Sequence, residues 1–181
     1  MWKKLALVVV LLVGALLAFI ATRPDTYHVE RSAEIGARPD IVFALIDDLR
    51  EWPRWSPWEQ LDPDMKKTYE GPSAGVGAIY SWSGNPEVGE GRITIVESRP
   101  GELVRVKLEY FKPFQGASEA RFELAPSGAG TRVRWTVEGA NGFAAKAVSL
   151  FLDVNGMIGG SFEQGLADLD AAARERALQP T

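Results

Sequence analysis

Glu59 follows Trp58 directly in the stretch Trp52-Pro53-Arg54-Trp55-Ser56-Pro57-Trp58-Glu59, and a carboxylate set among indoles is a group that can carry a proton where water is kept out. Tyr110, in the alternating run from Leu103 to Phe111, offers a phenol for similar work. Asp47 and Asp48 form a carboxylate pair at the end of a helical pattern, a position where aspartate more often caps the chain or faces water. Arg31 is a cation that could steady an enolate oxygen. The chemistry open to these groups is proton transfer in apolar surroundings.

Other chemistry is excluded by count. The 181 residues include no cysteine, so no disulfide scaffold, thiolate zinc site or cysteine nucleophile is available. The single histidine, His28, rules out sites that need two imidazoles and leaves a serine-histidine-acid arrangement one base. His28 lies on the polar side of an alternating run with no serine or acid partner indicated, and is expected to be exposed rather than catalytic. No metal and no cofactor is expected.

The elements that must position these groups follow from periodicity. Residues 27–35 alternate, with Tyr27, Val29, Ala33 and Ile35 on one side, which predicts a half-buried strand. Arg31 falls on that apolar side and is placed where the face meets solvent or a cavity. Pro39 opens a short helical pattern in which Ile41, Val42, Leu45, Ile46 and Leu49 recur. Prolines interrupt the tryptophan segment, so an extended or tight-turn path is expected to align Trp52, Trp55 and Trp58 on one side, as a pocket rim or as a plug on the core. Strands are expected over 65–70, 77–83, 89–97, 103–111, 118–124 and 131–138, each bounded by glycine or proline or a short turn. One long helix is expected from Phe143 to about Arg176, with a kink or break near Asn155-Gly156 to account for Gly156, Gly159, Gly160 and Gly165; close approach of a strand or ligand to the helix backbone is the other explanation for them.

Leu5 to Ala21 is a run of 17 residues without charge, flanked by Trp2-Lys3-Lys4 and Thr22-Arg23-Pro24. Bulky Phe19 two places before Ala21 disfavours signal cleavage, so residues 1–22 are expected to be an uncleaved membrane anchor and residues 23–181 the globular domain. Two lysines before the span against one arginine after it place the N-terminus in the cytoplasm and the domain on the periplasmic or extracellular side of the cytoplasmic membrane. Residues 23–181 carry 18 basic against 24 acidic residues, a charge of −6 with no basic block. Nucleic acid is therefore an improbable partner.

Strand, short helix, a run of antiparallel strands and one long helix is an α+β pattern. Six or seven twisted strands curved around one helix leave a pocket between them. The segments HVERSAEIGARPDIVFALIDDLREWPRWSPWE, VGEGRITIVESRP, TRVRWTVEG and FLDVNGMIGGSFEQGLADL make residues 27 to 176 similar to the START-like or SRPBCC superfamily, and most of all to bacterial members of polyketide cyclase/dehydrase type with an N-terminal membrane segment. The resemblance implies a helix-grip fold, a curved antiparallel sheet around a C-terminal helix. It implies no catalytic motif, because that superfamily spans transporters, sensors, cyclases and hydrolases.

Two functions follow as expectations. The first is a membrane-tethered binder or carrier of a hydrophobic small molecule such as a lipid, isoprenoid or polyketide, held by Trp55, Trp58, Tyr80, Trp82, Leu108, Tyr110, Phe122, Trp135, Phe151 and Phe162. Tyrosine and tryptophan suit such walls because each joins an apolar body to one polar handle. The alternative is a cyclase, dehydratase or hydrolase using Glu59, Tyr110 or Asp47. A third class, an envelope module that docks through its tryptophans, would need those indoles exposed.

Overall fold

The computed structural model describes residues 2–179, so the expected outer limits at residues 1 and 181 lie outside it. The apolar N-terminal run forms one helix, α1 (Trp2–Ala21), long and apolar enough to cross a membrane. Four residues later the chain enters β1 (Thr26–Ile35), then α2 (Pro39–Asp47). Six strands follow as a meander: β2 (Lys66–Glu70), β3 (Ile79–Ser83), β4 (Glu90–Arg99), β5 (Leu103–Lys112), β6 (Gly116–Ser127) and β7 (Gly130–Ala140). Two helices close the chain, α3 (Phe143–Val148) and α4 (Val154–Ala177).

All seven strands join one antiparallel sheet in the order β1-β7-β6-β5-β4-β3-β2. Connections of two to eight residues make every pairing but one a hairpin with the next strand, and β1 closes the other edge by pairing with β7 from Thr26↔Ala140 to Ile35↔Thr131. A register shift between Ile95 and Glu97 puts a bulge in β4, which increases local twist and helps the sheet curve. Alternation sorts the two faces. Val104, Val106, Ala120, Phe122, Val133 and Trp135 point inward and are buried. Arg105, Glu119, Glu123 and Arg134 cover the outer face in cross-strand ion pairs of 2.5–3.0 Å, which at this exposure favour solubility more than stability.

α4 runs along β1. Asn155 reaches the His28 carbonyl, Arg31 Nε donates to Glu163 at 2.6 Å, and the Gly36 amide donates to Asp170 at 2.6 Å. Arg31 thus lies over the helix, outside the cavity described below, and is withdrawn as a group that could meet an enolate. His28 is exposed, with Nδ1 2.8 Å from Glu138.

The expected single helix over 143–176 is two. Ser149 Oγ donates to the Lys146 carbonyl at 2.8 Å, and Asp153 caps a fresh helix by accepting from the Gly156 amide at 2.9 Å. The break falls at residues 149–153, ahead of the expected kink, because these two polar side chains compete with the helical backbone ladder. Two of the glycines within α4 instead serve close approach, the other explanation for them. A Cβ at Gly159 would strike the Arg31 guanidinium, and one at Gly165 would stand 2.9 Å from the Trp135 ring and 3.0 Å from Pro57 Cδ. At Gly160 nothing lies within 4 Å.

This separates two otherwise identical substitutions. Alanine is worth up to about 1 kcal/mol over glycine inside a helix, so Gly160→Ala is expected to raise the denaturant midpoint. At position 165 the same methyl meets two rigid rings, and overpacking costs about 1–3 kcal/mol. Gly165→Ala is expected to lower the midpoint, and equal stabilisation at both sites would refute the packing argument.

Candidate functional site

The tryptophan segment folds as two short 3₁₀ turns, Trp52–Arg54 and Pro57–Gln60, rather than as an extended path. Trp52 and Trp55 go inward. Trp52 Nε1 donates to the Ile46 carbonyl at 2.9 Å and Trp55 Nε1 to the Leu45 carbonyl at 3.0 Å. Those carbonyls lie in the last turn of α2 and have no partner inside the helix, so the two indoles cap it. Trp55 packs edge-on to Phe122 and Trp135 at 5.9 and 5.7 Å, and Trp135 stacks on Phe162 at 4.0 Å. The segment is a plug at Trp55 and a wall at Trp58.

Beyond that cluster the sheet and α4 diverge and leave a cavity of about 360 Å³, within the usual range for small-molecule pockets. Among the expected residues, Trp58, Tyr80, Trp82, Leu108, Tyr110, Phe122, Trp135 and Phe162 line it. Two do not. Trp55 is spent on core packing and on capping α2. Phe151 sits in the break before α4, 83% exposed and outside the cavity. Of the carboxylates, Glu59 lines the wall but Asp47 does not; Asp47 accepts from Ser98 Oγ at 2.6 Å, where it holds α2 to β4. Asp48 accepts from the Arg50 amide at 2.9 Å, a local turn contact.

The cavity has a definite mouth. Phe114 lines it and is 81% exposed, and Glu87, Lys112 and Pro113 are exposed lining residues beside it. Glu87 belongs to the β3–β4 turn, Pro113 and Phe114 to the β5–β6 turn, and Lys112 is the last residue of β5. The register Ser118↔Gly139 and Thr26↔Ala140 puts those turns at the end of the sheet where β1 begins and α1 joins.

Polar groups in the wall are few and mostly committed to each other. Tyr80 donates its hydroxyl to Glu59 Oε1 at 2.6 Å, and Lys67 Nζ bonds the other carboxylate oxygen. With both oxygens occupied, Glu59 orients Tyr80 and leaves that phenol oxygen an acceptor toward the cavity. Trp82 Nε1 donates to the Val88 carbonyl at 3.0 Å. Tyr110 shares a 3.3 Å contact with Ser118. Trp135 Nε1 is buried without a hydrogen-bond partner among the described residues, a donor available to a bound oxygen. Lys67 was not expected at the site. Its signal was present, since Met65, Lys67 and Tyr69 alternate, and a lysine on an inward face requires a counter-charge. Among the described residues no histidine-carboxylate group could hold a metal ion.

Burial raises the Tyr80 phenol well above its ordinary value, and the hydrogen bond to Glu59 adds to the effect. Burial likewise raises Tyr110 and Tyr69, which stacks on Tyr80 at 5.2 Å. Unfolded, these phenols ionise near the ordinary 10.0; folded, they keep their protons to higher pH. Their contribution to stability is whole below about pH 10 and is lost as pH climbs through the folded values. The unfolding midpoint is expected to fall above about pH 10, less so in Tyr80→Phe. Tyrosinate absorbance from these three at their ordinary pH in a folded protein would contradict this.

A curved antiparallel sheet gripping a C-terminal helix over an apolar cavity defines a helix-grip protein of the SRPBCC class. Within that class, the family model for polyketide cyclase / dehydrase and lipid transport matches residues 26–174, and the chain belongs to that family. Solved structures share the fold at low identity. A protein of Chromobacterium violaceum is 18% identical at TM-score 0.57, over 83% of this chain and 98% of its own. Truncated norcoclaurine synthase of Thalictrum flavum is 16% identical at TM-score 0.57, over 86% and 96%. The di-domain ARO/CYC protein StfQ of the steffimycin biosynthetic pathway is 12% identical at TM-score 0.60, over 84% and 52%. No curated protein matches the chain.

Proposed function

We propose that the chain is a membrane-tethered binding or carrier protein for a hydrophobic small molecule, a lipid, isoprenoid or polyketide-like compound, with α1 as a single-pass anchor and the domain from about residue 23 on the periplasmic or extracellular side. The observation that carries this reading is the cavity: about 360 Å³, walled by Trp58, Trp82, Leu108, Phe122 and Phe162, with a mouth at Phe114. The polar atoms on offer, the Trp135 indole N–H and the Tyr80 phenol oxygen, suit one oxygen-bearing end of an otherwise apolar ligand. Norcoclaurine synthase and the ARO/CYC protein have a similar fold, which gives the enzymatic alternative its standing. Against it, the buried carboxylate in the wall, Glu59, has both oxygens engaged, and the other lining carboxylate, Glu87, is exposed at the mouth.

Native mass spectrometry of the full chain, released from mild detergent after purification from its own host, tests the proposal. A retained lipophilic molecule is the expected result, and extraction identifies it. A cavity that comes out empty and takes up no fluorescent fatty acid or polycyclic probe overturns it. If a product forms from a retained compound, an equal yield from Glu59→Gln removes that carboxylate from the chemistry.

A further inference from the structure

The apolar stripe that runs down the C-terminal helices does not stop where the core stops. Ile158 lines the cavity and Phe162 packs against Trp135, but upstream the same pattern continues into water: Phe143, Val148, Phe151, Leu152 and Met157 are exposed. Phe114, at the mouth, joins them at the same end of the sheet. Exposed apolar side chains gathered at one end of the molecule mark a surface that meets something apolar.

What it meets is indicated by α1. Helix α3 packs against α1, and Ile20, inside the apolar run, is buried there at 6% exposure. The connection is short and fastened. Thr22 to Asp25 can span at most about 14 Å, the Asn141 amide donates to the Asp25 carbonyl at 2.7 Å, and Lys146 bonds the Asp25 carboxylate at 2.5 Å. A 20-residue helix is about 30 Å long, the thickness of a bilayer core. With α1 in that core, α3 sits level with its last turn, at the boundary between acyl chains and headgroups.

Resting on the reading of α1 as an anchor, we propose that α3, the Phe151 loop and Phe114 dip into the outer boundary of the bilayer, so that the cavity opens onto the leaflet and receives a lipid from it without passage through water. Attraction to anionic headgroups is not the driving force, since the domain is net acidic and Lys146 is already paired. Aromatic and aliphatic side chains supply it, as in interfacial helices whose apolar face enters about 5–10 Å.

The absence of cysteine allows a direct test on the full chain. Phe151→Cys, Phe114→Cys, Gly14→Cys and Glu102→Cys, each carrying one environment-sensitive fluorophore, are placed in phosphatidylcholine nanodiscs containing nitroxide-labelled phosphatidylcholine. Residues 114 and 151 are exposed, so folding is not at stake. Quenching at 14, 114 and 151 but not at 102, in the turn at the far end of the sheet, is expected. Quenching at 14 with none at 151 and 114 keeps the anchor and overturns the interfacial docking, leaving that face to water, a protein or a second copy. Quenching at 151 without 114 overturns the placement of the mouth. An unquenched position 14 removes the anchor and this inference together.

Discussion

Trp55→Ala is expected to cost about 3–5 kcal/mol, much of the 5–15 kcal/mol by which a domain of this size is stable. Three losses coincide. The side chain is 1% exposed, so its removal leaves a large void in the core. It deletes edge-on contacts to Phe122 and Trp135. It also leaves the Leu45 carbonyl at the end of α2 without its indole donor. Chemical denaturation should show a large drop in midpoint with little change in slope. Because the indole does not line the cavity, ligand occupancy in the surviving folded fraction should be altered far less than by a change at Trp58. A variant as stable as the parent but empty would mean that Trp55 is a wall residue after all.

Glu59→Leu is expected to lose about 2–4 kcal/mol, for a different reason. The substitution leaves the buried Tyr80 hydroxyl without an acceptor and Lys67 without its counter-charge. Lys67, with its side chain 24% exposed, can turn toward water, which keeps the cost below that of stranding a fully buried charge. Glu59→Gln retains an acceptor for Tyr80 and should lose about half as much. Adding Tyr80→Phe to Glu59→Leu should recover part of the loss, because two apolar partners leave no orphaned donor. Double-mutant-cycle denaturation measures the coupling. Simple additivity would show that the two side chains do not act as a pair.

The elements of this fold were legible because period-two alternation and glycine punctuation are local signals. The runs expected as strands at 103–111 and 131–138 become β5 and β7. Trp55 and Phe151 were assigned to the cavity on chemistry alone, and both fail there for tertiary reasons. Which of three indoles caps a helix depends on where α2 ends in space, not on their spacing. Whether an apolar residue in a long stripe is buried depends on how far the sheet extends beneath it. The break at 149–153 had a local cue in Ser149 and Asp153, but the three-four repeat runs through it unbroken. Lys67 shows the converse: a cation on an inward face, legible in the alternation of Met65, Lys67 and Tyr69, marks the buried carboxylate of Glu59 beside it.

If the proposed carrier is anchored by α1, the fastened connection at Thr22–Asp25 sets what kind of carrier it can be. A domain on a long flexible leash could ferry cargo between two membranes, but four residues pinned by Asn141 and Lys146 give no such range. With α1 as the anchor proposed above, the protein would be a fixed station rather than a shuttle. Its cargo would then reach it by two-dimensional diffusion, its collision frequency would scale with surface density in the bilayer, and whatever receives the cargo would have to come to the same membrane to collect it.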